Sequence, residues 1–321
     1  MPVYFVSHLA RNPLTIVIVI MILYVAFAFY IDIGKFSKVV LNIQYWFLPL
    51  ILIPETVHIL LLGLRFHRFL QALGINIPIR KSMLIYITGL SLTVTPGNAG
   101  QVIKSQVIKN QLGFPVSKTS PIILAEKWSE LTAILIILIA FGIVNSFLES
   151  NVIIVIGTVI ALALFGIMRN ALIFTQFKRV LLRFSRLRKF EESIENSRGA
   201  AKILFSKRMV SEGFLFTTPA KILEGLSVFF AFQALGVKIG FISCTQIFYT
   251  ASLSGIFSFV PGGFGVTEGS MLALLIKYYG TNLALLATAV IFSRIITIWY
   301  STVLGMITSQ FFIKKIRTPR R

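Results

Sequence analysis

Ser243 to Gly265, SCTQIFYTASLSGIFSFVPGGFG, is the stretch of this sequence that decides its fold. An apolar helix is predicted at 243–260, and the proline and glycines of 261–265 end it, because proline lacks an amide hydrogen and glycine favours turns. A helix of about 14 residues is predicted next, roughly 21 Å long, which is less than the ~30 Å of hydrocarbon in a bilayer. The stretch therefore predicts a helical hairpin that enters a membrane, turns inside it and leaves on the same side.

The composition of the whole chain also predicts a membrane environment. Of 321 residues, 56% are hydrophobic and 13% charged, and the mean hydropathy is +0.86, outside the range of soluble domains. Full crossings, which need about 20 apolar residues, are predicted at 14–31, 45–64, 120–144, 151–168, 214–235 and 283–310. We therefore expect an all-α polytopic membrane protein with about six full transmembrane helices.

An earlier segment repeats the hairpin pattern. Residues 82–95 provide about 14 helical residues before Pro96-Gly97-Asn98-Ala99-Gly100 breaks the helix, which is again too short to cross. Unsatisfied backbone groups in hydrocarbon cost several kcal/mol each, so such a turn is tolerated only where protein or water surrounds it. Both turns are therefore expected to line a cavity, and the chain is expected to contain two opposed re-entrant hairpins.

The basic residues favour this topology. A net charge of +20 would suggest nucleic acid in a soluble protein, but here Lys and Arg fall in loops and tails, as the positive-inside rule expects. Re-entrant hairpins keep the N-terminus, 65–81, the amphipathic basic loop 169–213 and the C-terminal tail on one side. We therefore predict a cell-membrane protein with both termini in the cytoplasm and no nucleic-acid partner.

The chain also repeats itself. Gln71-Ala72-Leu73-Gly74-Ile75 recurs as Gln233-Ala234-Leu235-Gly236-Val237, and a Pro-Gly-x-x-Gly turn follows each copy. Within a single transmembrane domain, 1–321, the predicted repeats are about 14–144 and about 151–310. Because each repeat crosses the membrane three times, the second repeat enters it from the opposite side. Inverted repeats of this kind place substrate sites near the midplane of the bilayer. The alternative to an internal repeat is that the two Gln-Ala-Leu-Gly segments match by chance.

The hairpin tips supply the first candidate binding residues. A helix N-terminus has free N–H groups and a partial positive charge, which suit a phosphate. Asn98 with Gln101 fits a capping box, and Thr267 is predicted to cap the helix after the second turn. For Glu268, in the first turn of that helix, a capping role and a gating or proton-coupling role both stay open.

The helical arm after the first turn is unusually polar. Gln101, Ser105 and Lys109 share one stripe at four-residue spacing, which predicts one wall of a hydrated cavity. Lys104 either holds an anionic headgroup or extends to the cytoplasmic interface, and the second role is favoured for Lys109.

Ionisable residues inside the spans are functional by default, because each costs roughly 2.5–3.5 kcal/mol at the bilayer centre. Glu130 and Arg294 are predicted at similar depth, where they either pair as a structural lock or serve the substrate; Glu126 has a structural or a transport role. Cys244, predicted near the outer interface, is the single cysteine and the histidines are scattered, so no metal site, catalytic residue or cofactor is expected. The other ionisable residues are Glu55, His58, Lys127, Lys221 and Glu224.

The turns and their neighbours carry a family resemblance. Pro96–Gly100, Glu126-Lys127 and the run Pro261–Gly269 resemble the transmembrane region of lysylphosphatidylglycerol synthase/flippase proteins and their stand-alone relatives. The resemblance covers nearly the whole chain. It implies a flippase for an aminoacylated phospholipid or an isoprenoid-linked sugar, with both turns, Glu126, Glu268 and Arg294 near the headgroup path. An aminoacyl-transferase domain is not expected in this chain, so lipid synthesis by it is not expected either.

We therefore expect a flippase-like transporter of an anionic lipid. The alternatives are a membrane-embedded glycosyltransferase that uses a lipid-phosphate sugar and an accessory subunit of a lipid-modifying synthase. The short outer loops contain only Asp32 and Glu149 as acids, which disfavours the glycosyltransferase. The predicted substrate-binding residues are Pro96, Gly97, Asn98, Gly100, Gln101, Lys104, Glu126, Glu130, Pro261, Gly262, Gly263, Gly265, Thr267, Glu268 and Arg294.

Overall fold

The computed structural model describes residues 43–93, 101–144, 148–183, 191–280 and 282–317. The predicted crossing at 14–31 and the first turn at 96–100 lie outside these ranges. All regular secondary structure within them is helical. The helices are α1 (Leu48–Ala72), α2 (Ile79–Leu90), α3 (Ile103–Leu112), α4 (Val116–Gly142), α5 (Leu148–Arg169), α6 (Ala171–Leu181), α7 (Glu191–Leu204), α8 (Lys207–Ala234), α9 (Phe241–Phe257), α10 (Val266–Tyr279), α11 (Leu283–Arg294) and α12 (Tyr300–Arg317).

Four helical stretches in the described ranges are long and apolar enough to cross a bilayer. They are Tyr45–Ala72, Ser150–Arg169, Lys207–Ala234 and Leu283–Gln310. These stretches overlap four of the predicted crossings and confirm an all-α polytopic membrane protein. Helix α4 covers residues 120–142 of the crossing predicted at 120–144; its 27 residues extend about 40 Å.

Helices α1 and α8 form the most extensive helix–helix contact in the described part of the chain. Near the start of α1, the carbonyl of Ile51 accepts a hydrogen bond from the Ser227 hydroxyl at 2.8 Å. Nearer its end, Arg65 donates to the Thr217 hydroxyl at 2.9 Å. The residue number rises along α1 while it falls along α8, so the two helices are antiparallel.

The repeated Gln-Ala-Leu-Gly segments fold into the same turn at the ends of α1 and α8. Gly74 has φ +73° and Gly236 has φ +78°, a left-handed conformation that costs glycine little. In each copy the residue after the glycine donates its amide hydrogen to the carbonyl five residues earlier, at 2.9 Å and 3.0 Å. This is the Schellman arrangement, which satisfies the last carbonyls of a helix.

Helices α9 and α10 pack against each other across the break at 258–265. Their 17 and 14 residues extend about 26 and 21 Å, so each is shorter than the ~30 Å hydrocarbon layer. The glycines of the break have φ between +60° and +81°. Gly263 lies against α9, because a Cβ atom at this position would be 3.2 Å from the Cα atom of Gly255.

The crossing predicted as continuous at 283–310 contains a π-helix, Ile295–Trp299, between α11 and α12. This π-helix begins directly after Arg294. Turns of this kind are rare and are frequent at functional sites. The apolar pattern of 283–310 carries no sign of it, since hydropathy reflects burial and not the register of backbone hydrogen bonds.

The basic loop is helical in its described parts. Lys178 on α6 binds Glu191 and Glu195 on α7, at 3.1 Å and 3.0 Å. The hydrogen bond from Lys178 lowers the pKa of Glu195. Glu191 and Glu195 are exposed to solvent and Lys178 is 20% exposed, so the ion pairs contribute little to stability. Residues 184–190 of this loop lie outside the described ranges.

Candidate functional site

A buried ion pair connects α11 to the break between α9 and α10. Arg294 of α11 donates from Nε to Glu268 Oε1 at 2.8 Å and from Nη2 to the carbonyl of Gly262 at 2.6 Å. The second carboxylate oxygen of Glu268 accepts the amide hydrogen of Gly265 at 2.7 Å. Both charged side chains are only 5% exposed. The ion pair therefore connects α11 to the backbone of the hairpin tip on both sides of the turn.

Glu268 caps α10, and the prediction that Thr267 does so is wrong. Helix α10 begins at Val266, so Thr267 already lies in its first turn, whereas a capping residue precedes the helix. A carboxylate three residues after the cap position can reach back to the cap amide, as Glu268 does to Gly265. Thr267 instead lies at the close approach of the hairpin arms, where its hydroxyl would be 2.6 Å from a Cβ atom at Gly263.

Of the two roles left open for Glu130 and Arg294, pairing with each other is wrong. Glu130 binds Arg65 at 3.0 Å and Lys127 at 2.6 Å, while Arg294 binds Glu268. Similar depth along two helices does not determine the direction in which each side chain projects around its helix axis.

A second buried centre joins α1, α3 and α4. The Lys104 ammonium binds Glu126 Oε2, and Glu126 Oε1 lies 3.7 Å from Nη2 of Arg65. The same nitrogen of Arg65 binds Glu130. Lys104, Glu126 and Arg65 are at most 2% exposed, and Glu130 is 17% exposed. Each of these carboxylates is therefore compensated by cations from a different helix, as a buried charge requires.

Lys104 is enclosed by protein, so the suggestion that it extends to the cytoplasmic interface is wrong. Its ammonium lies 5.1 Å and 5.2 Å from the ring centroids of Phe66 and Tyr86, and its aliphatic stem crosses Gly89, where a Cβ atom would collide with it. The pairing with Glu126 supplies the negative charge that an interface would otherwise provide. Lys109, by contrast, is exposed.

The polar stripe of α3 also differs from its prediction. Gln101 is 5% and Ser105 1% exposed, so these side chains face protein and do not form the wall of an open hydrated cavity. The oxygen Oε1 of Gln101 accepts a hydrogen bond from Lys104 at 3.2 Å. Lys104 of α3 therefore satisfies the Gln101 oxygen inside the protein, where the polar stripe alone predicts water.

Arg65 is the residue that sequence reasoning placed wrongly. It was predicted in a basic cytoplasmic loop, 65–81, but α1 continues to Ala72 and Arg65 is fully buried. A signal was present in the spacing. His58 and Arg65 are seven residues apart, or about two helical turns, so both lie on one face of α1.

A third buried centre lies between α8 and α9. Lys221 binds Glu224 at 2.7 Å within α8. The Tyr249 hydroxyl of α9 donates to the carbonyl of Lys221 and approaches Glu224 Oε2 to 3.1 Å. His58 of α1 reaches the same region, with Nδ1 2.9 Å from the carbonyl of Ala220. Tyr249 was not predicted, because one tyrosine in an apolar helix gives no sequence signal.

The structure arranges the predicted site residues in two groups. Pro96, Gly97, Asn98 and Gly100 lie outside the described residues. One group lies at α3 and α4 and contains Gln101, Lys104, Glu126 and Glu130. The other lies at the α9–α10 break and contains Pro261, Gly262, Gly263, Gly265, Thr267, Glu268 and Arg294.

Comparison with known families identifies the chain as a membrane protein. The family model of the lysylphosphatidylglycerol synthase transmembrane region matches residues 14–305. The chain belongs to this family.

UPF0104 membrane proteins are also similar to the chain. A UPF0104 membrane protein of Methanothermobacter thermautotrophicus is 34% identical over 103 residues, which cover 32% of the chain and 30% of that relative. A second alignment to a protein of this name and organism covers 27% of the relative at 30% identity. The UPF0104 membrane protein PH1989 of Pyrococcus horikoshii is 22% identical over 294 residues, 84% of the chain and 88% of the relative. The chain therefore aligns with less than a third of the first two relatives' length and with most of the third.

In this member of the lysylphosphatidylglycerol synthase transmembrane family, Gly263→Ala is expected to destabilise the fold by about 1–3 kcal/mol. Gly263 has φ +67°, and a Cβ atom would lie 2.6 Å from the Thr267 hydroxyl and 3.2 Å from Gly255 Cα. Gly269→Ala is the matched control, since this helical glycine has open space around its Cα atom and alanine favours helix. The measurement is thermal unfolding in detergent, monitored by circular dichroism. Wild-type melting temperatures for both variants would contradict the prediction.

Proposed function

We propose that this chain is a flippase-like transporter that moves an anionic lipid between membrane leaflets. The observation that carries the proposal is the buried pair of Arg294 and Glu268 at the break between two short helices. Buried arginine inside a membrane protein is functional by default, and irregular backbone at that depth occurs where it is enclosed by protein or lines a cavity. A guanidinium group binds phosphate as readily as carboxylate.

The proposed mechanism is an exchange of anions at Arg294. A lipid phosphate that binds the guanidinium replaces Glu268, whose other oxygen is bound to the amide of Gly265. The same arginine holds the carbonyl of Gly262, so a change of partner at Arg294 loosens both sides of the hairpin tip. Binding of the headgroup and movement of the tip are therefore one event, which is what a carrier requires to change its accessible side.

The proposed architecture is an inverted repeat of about 14–144 and about 151–310, with two opposed re-entrant hairpins. Two observations support it. Helices α1 and α8, which end in the repeated Gln-Ala-Leu-Gly segments, are antiparallel, as corresponding helices of an inverted repeat must be. The C-terminal ends of the two helices also fold into the same type of backbone turn.

The proposed headgroup path contains both groups of predicted site residues. At the first group, Lys104 and Arg65 bind Glu126 and Glu130, so cations and carboxylates are available there to exchange partners with an anionic headgroup. An aminoacylated phospholipid and an isoprenoid-phosphate-linked sugar share a phosphate, and the arginine chemistry applies to both.

Leaflet exchange in liposomes tests the proposal. The purified full-length chain is incorporated into liposomes with a fluorescent phosphatidylglycerol, or with a fluorescent phosphatidylcholine as the zwitterionic control, and a membrane-impermeant quencher reports the outer leaflet. We expect faster exchange of the anionic probe than in protein-free liposomes. Recovered lipid is then analysed chemically. A chemically changed lipid would indicate the glycosyltransferase. If the lipid neither exchanges between leaflets nor changes chemically, the chain would be an accessory subunit of a synthase.

Cysteine labelling tests the proposed cell-membrane topology with cytoplasmic termini. Cys244 is fully buried and will not report its side of the membrane, so Cys244→Ala serves as the background. Arg80 and Lys238 are exposed. In intact cells, an impermeant maleimide is expected to label Lys238→Cys at once and Arg80→Cys only after permeabilisation. The reverse pattern would contradict the topology.

A further inference from the structure

Glu55 is a buried acid without a hydrogen-bond donor in the described residues. It lies in the first half of α1 and is 1% exposed. Neither of its carboxylate oxygens has a hydrogen-bond partner within the described ranges. Glu126, Glu224 and Glu268 are also buried, but each binds a cation. Glu55 therefore requires a different explanation.

The charges around Glu55 are already matched to one another. From α8, Lys221 and Glu224 act on it electrostatically, and these two form an ion pair at 2.7 Å. From α9, Tyr249 faces the same centre and approaches the Glu224 carboxylate to 3.1 Å. His58 lies one turn along α1 and is bound to a backbone carbonyl of α8. An ionised Glu55 would add a negative charge that this centre does not balance.

The contacts of α1 with α12 and α4 do not change this balance. On the side of α12, the Tyr300 hydroxyl lies 2.7 Å from the hydroxyl of Thr56. On the side of α4, Glu130 is bound by Arg65 at 3.0 Å. One added positive charge would make Glu55 compatible with burial, and a proton is the smallest such charge.

We propose that Glu55 is a proton-binding site that couples lipid movement to a proton gradient. When α1 is enclosed as seen here, Glu55 carries the proton and is neutral, because an ionised carboxylate without a partner is strongly disfavoured in an apolar interior. When the site opens to water, the O–H bond breaks and the proton leaves to solvent. No electron transfer or other reactant takes part.

The position of Glu55 in α1 suits such a step. Pro54 precedes it and cannot donate to the carbonyl of Leu50, which removes one hydrogen bond from the helix at this point. A helix bends at such places more easily than elsewhere. Opening of α1 beside Pro54 would expose Glu55 to water without breaking the helix elsewhere.

A proton fits this site better than a metal ion. Metal cations in proteins are held by several oxygen, nitrogen or sulfur ligands. In the part of the chain that the structure describes, no group of three or more His, Cys, Asp and Glu side chains is placed to hold a metal ion. We therefore expect lipid exchange not to be coupled to a sodium gradient, and the transport experiment includes this comparison.

Infrared spectroscopy of the purified full-length chain in lipid nanodiscs tests proton binding directly, without transport. We expect a carbonyl stretching band of a protonated carboxyl group at neutral pH, lost in Glu55→Gln and retained in Glu195→Gln, which removes an exposed carboxylate of α7. If Glu55→Gln folds poorly, Glu55→Asp is the second variant: it keeps a carboxyl group and should therefore keep the band. A wild-type spectrum without this band at neutral pH would overturn the proposal.

Transport then tests coupling, which rests on the proposed flippase function. In liposomes, a pH gradient at constant sodium is expected to accelerate exchange of the anionic probe by the wild type and by Glu195→Gln. Glu55→Gln, a neutral mimic of the protonated acid, should lose this acceleration and retain exchange without a gradient. Wild-type exchange that ignores the pH gradient, or follows a sodium gradient instead, would overturn coupling while the flippase function stands. Absence of any exchange would count against the flippase function, and the infrared band would still decide whether Glu55 binds a proton.

Discussion

Arg65→Ala is expected to lower the free energy of unfolding by about 3–5 kcal/mol, the usual cost of breaking a buried ion pair. The guanidinium of Arg65 is fully buried and binds Glu130, Thr217 and the backbone carbonyl of Glu126. Without it, two buried carboxylates retain one cation each, and α1 loses a hydrogen bond to α8. Arg65→Lys should recover only part of the loss, because an ammonium cannot reproduce the fork of a guanidinium.

Arg68→Ala is the matched control for this prediction. Arg68 lies one turn further along α1, is 38% exposed and binds Glu212 at 2.8 Å. Exposed ion pairs contribute about 0–1 kcal/mol, so this variant should stay close to the wild type. Thermal unfolding of both variants in one detergent makes the comparison. Equal melting temperatures for Arg65→Ala and Arg68→Ala would contradict the burial of Arg65 and support the exposed loop that the charge pattern alone predicted.

Arg294→Ala is expected to reduce lipid exchange to the rate of protein-free liposomes, whereas Lys238→Ala should leave it unchanged. Arg294 holds both Glu268 and the Gly262 carbonyl and is proposed to bind the headgroup. Lys238 is exposed in the turn between α8 and α9, where water screens its charge. The measurement is leaflet exchange of the fluorescent anionic lipid by folded protein. Wild-type exchange by Arg294→Ala would contradict the proposed role.

A charge exchange distinguishes a structural ion pair from headgroup binding. The structure shows that the partner to exchange is Glu268 and not Glu130. The double variant Arg294→Glu with Glu268→Arg restores opposite charges, but the Gly262 carbonyl loses its donor and the Gly265 amide loses its acceptor. We therefore expect partial recovery of stability and no recovery of exchange. Full exchange by the double variant would show that Arg294 serves only as a structural partner.

Several features of this fold were predictable from local sequence. Apolar stretches near 45–64, 151–168, 214–235 and 283–310 identified helices long enough to cross a bilayer, because hydrophobic length is a property of the segment itself. The break at Pro261–Gly265 identified the turn between α9 and α10 for the same local reason. The repeated Gln-Ala-Leu-Gly segments folded into one kind of helix end, since a glycine in a left-handed conformation completes that turn wherever it occurs.

Partners of the buried charges were decided by tertiary structure alone. The sequence placed Glu130 and Arg294 at similar depth, but helix packing turned one toward Arg65 and the other toward Glu268. It also left Lys104 either at an anionic headgroup or at the cytoplasmic interface, whereas in the structure α2 packs against its stem and Glu126 of α4 neutralises its charge.

The physical reason is the range over which each interaction acts. Helix formation, helix length and turns depend on residues within a few positions, so the local sequence determines them. The partner of a buried charge depends on how helices far apart in sequence are rotated about their axes and packed. Arg65 is bound by residues at 126, 130 and 217, and these partners could be known only once α1, α4 and α8 were together.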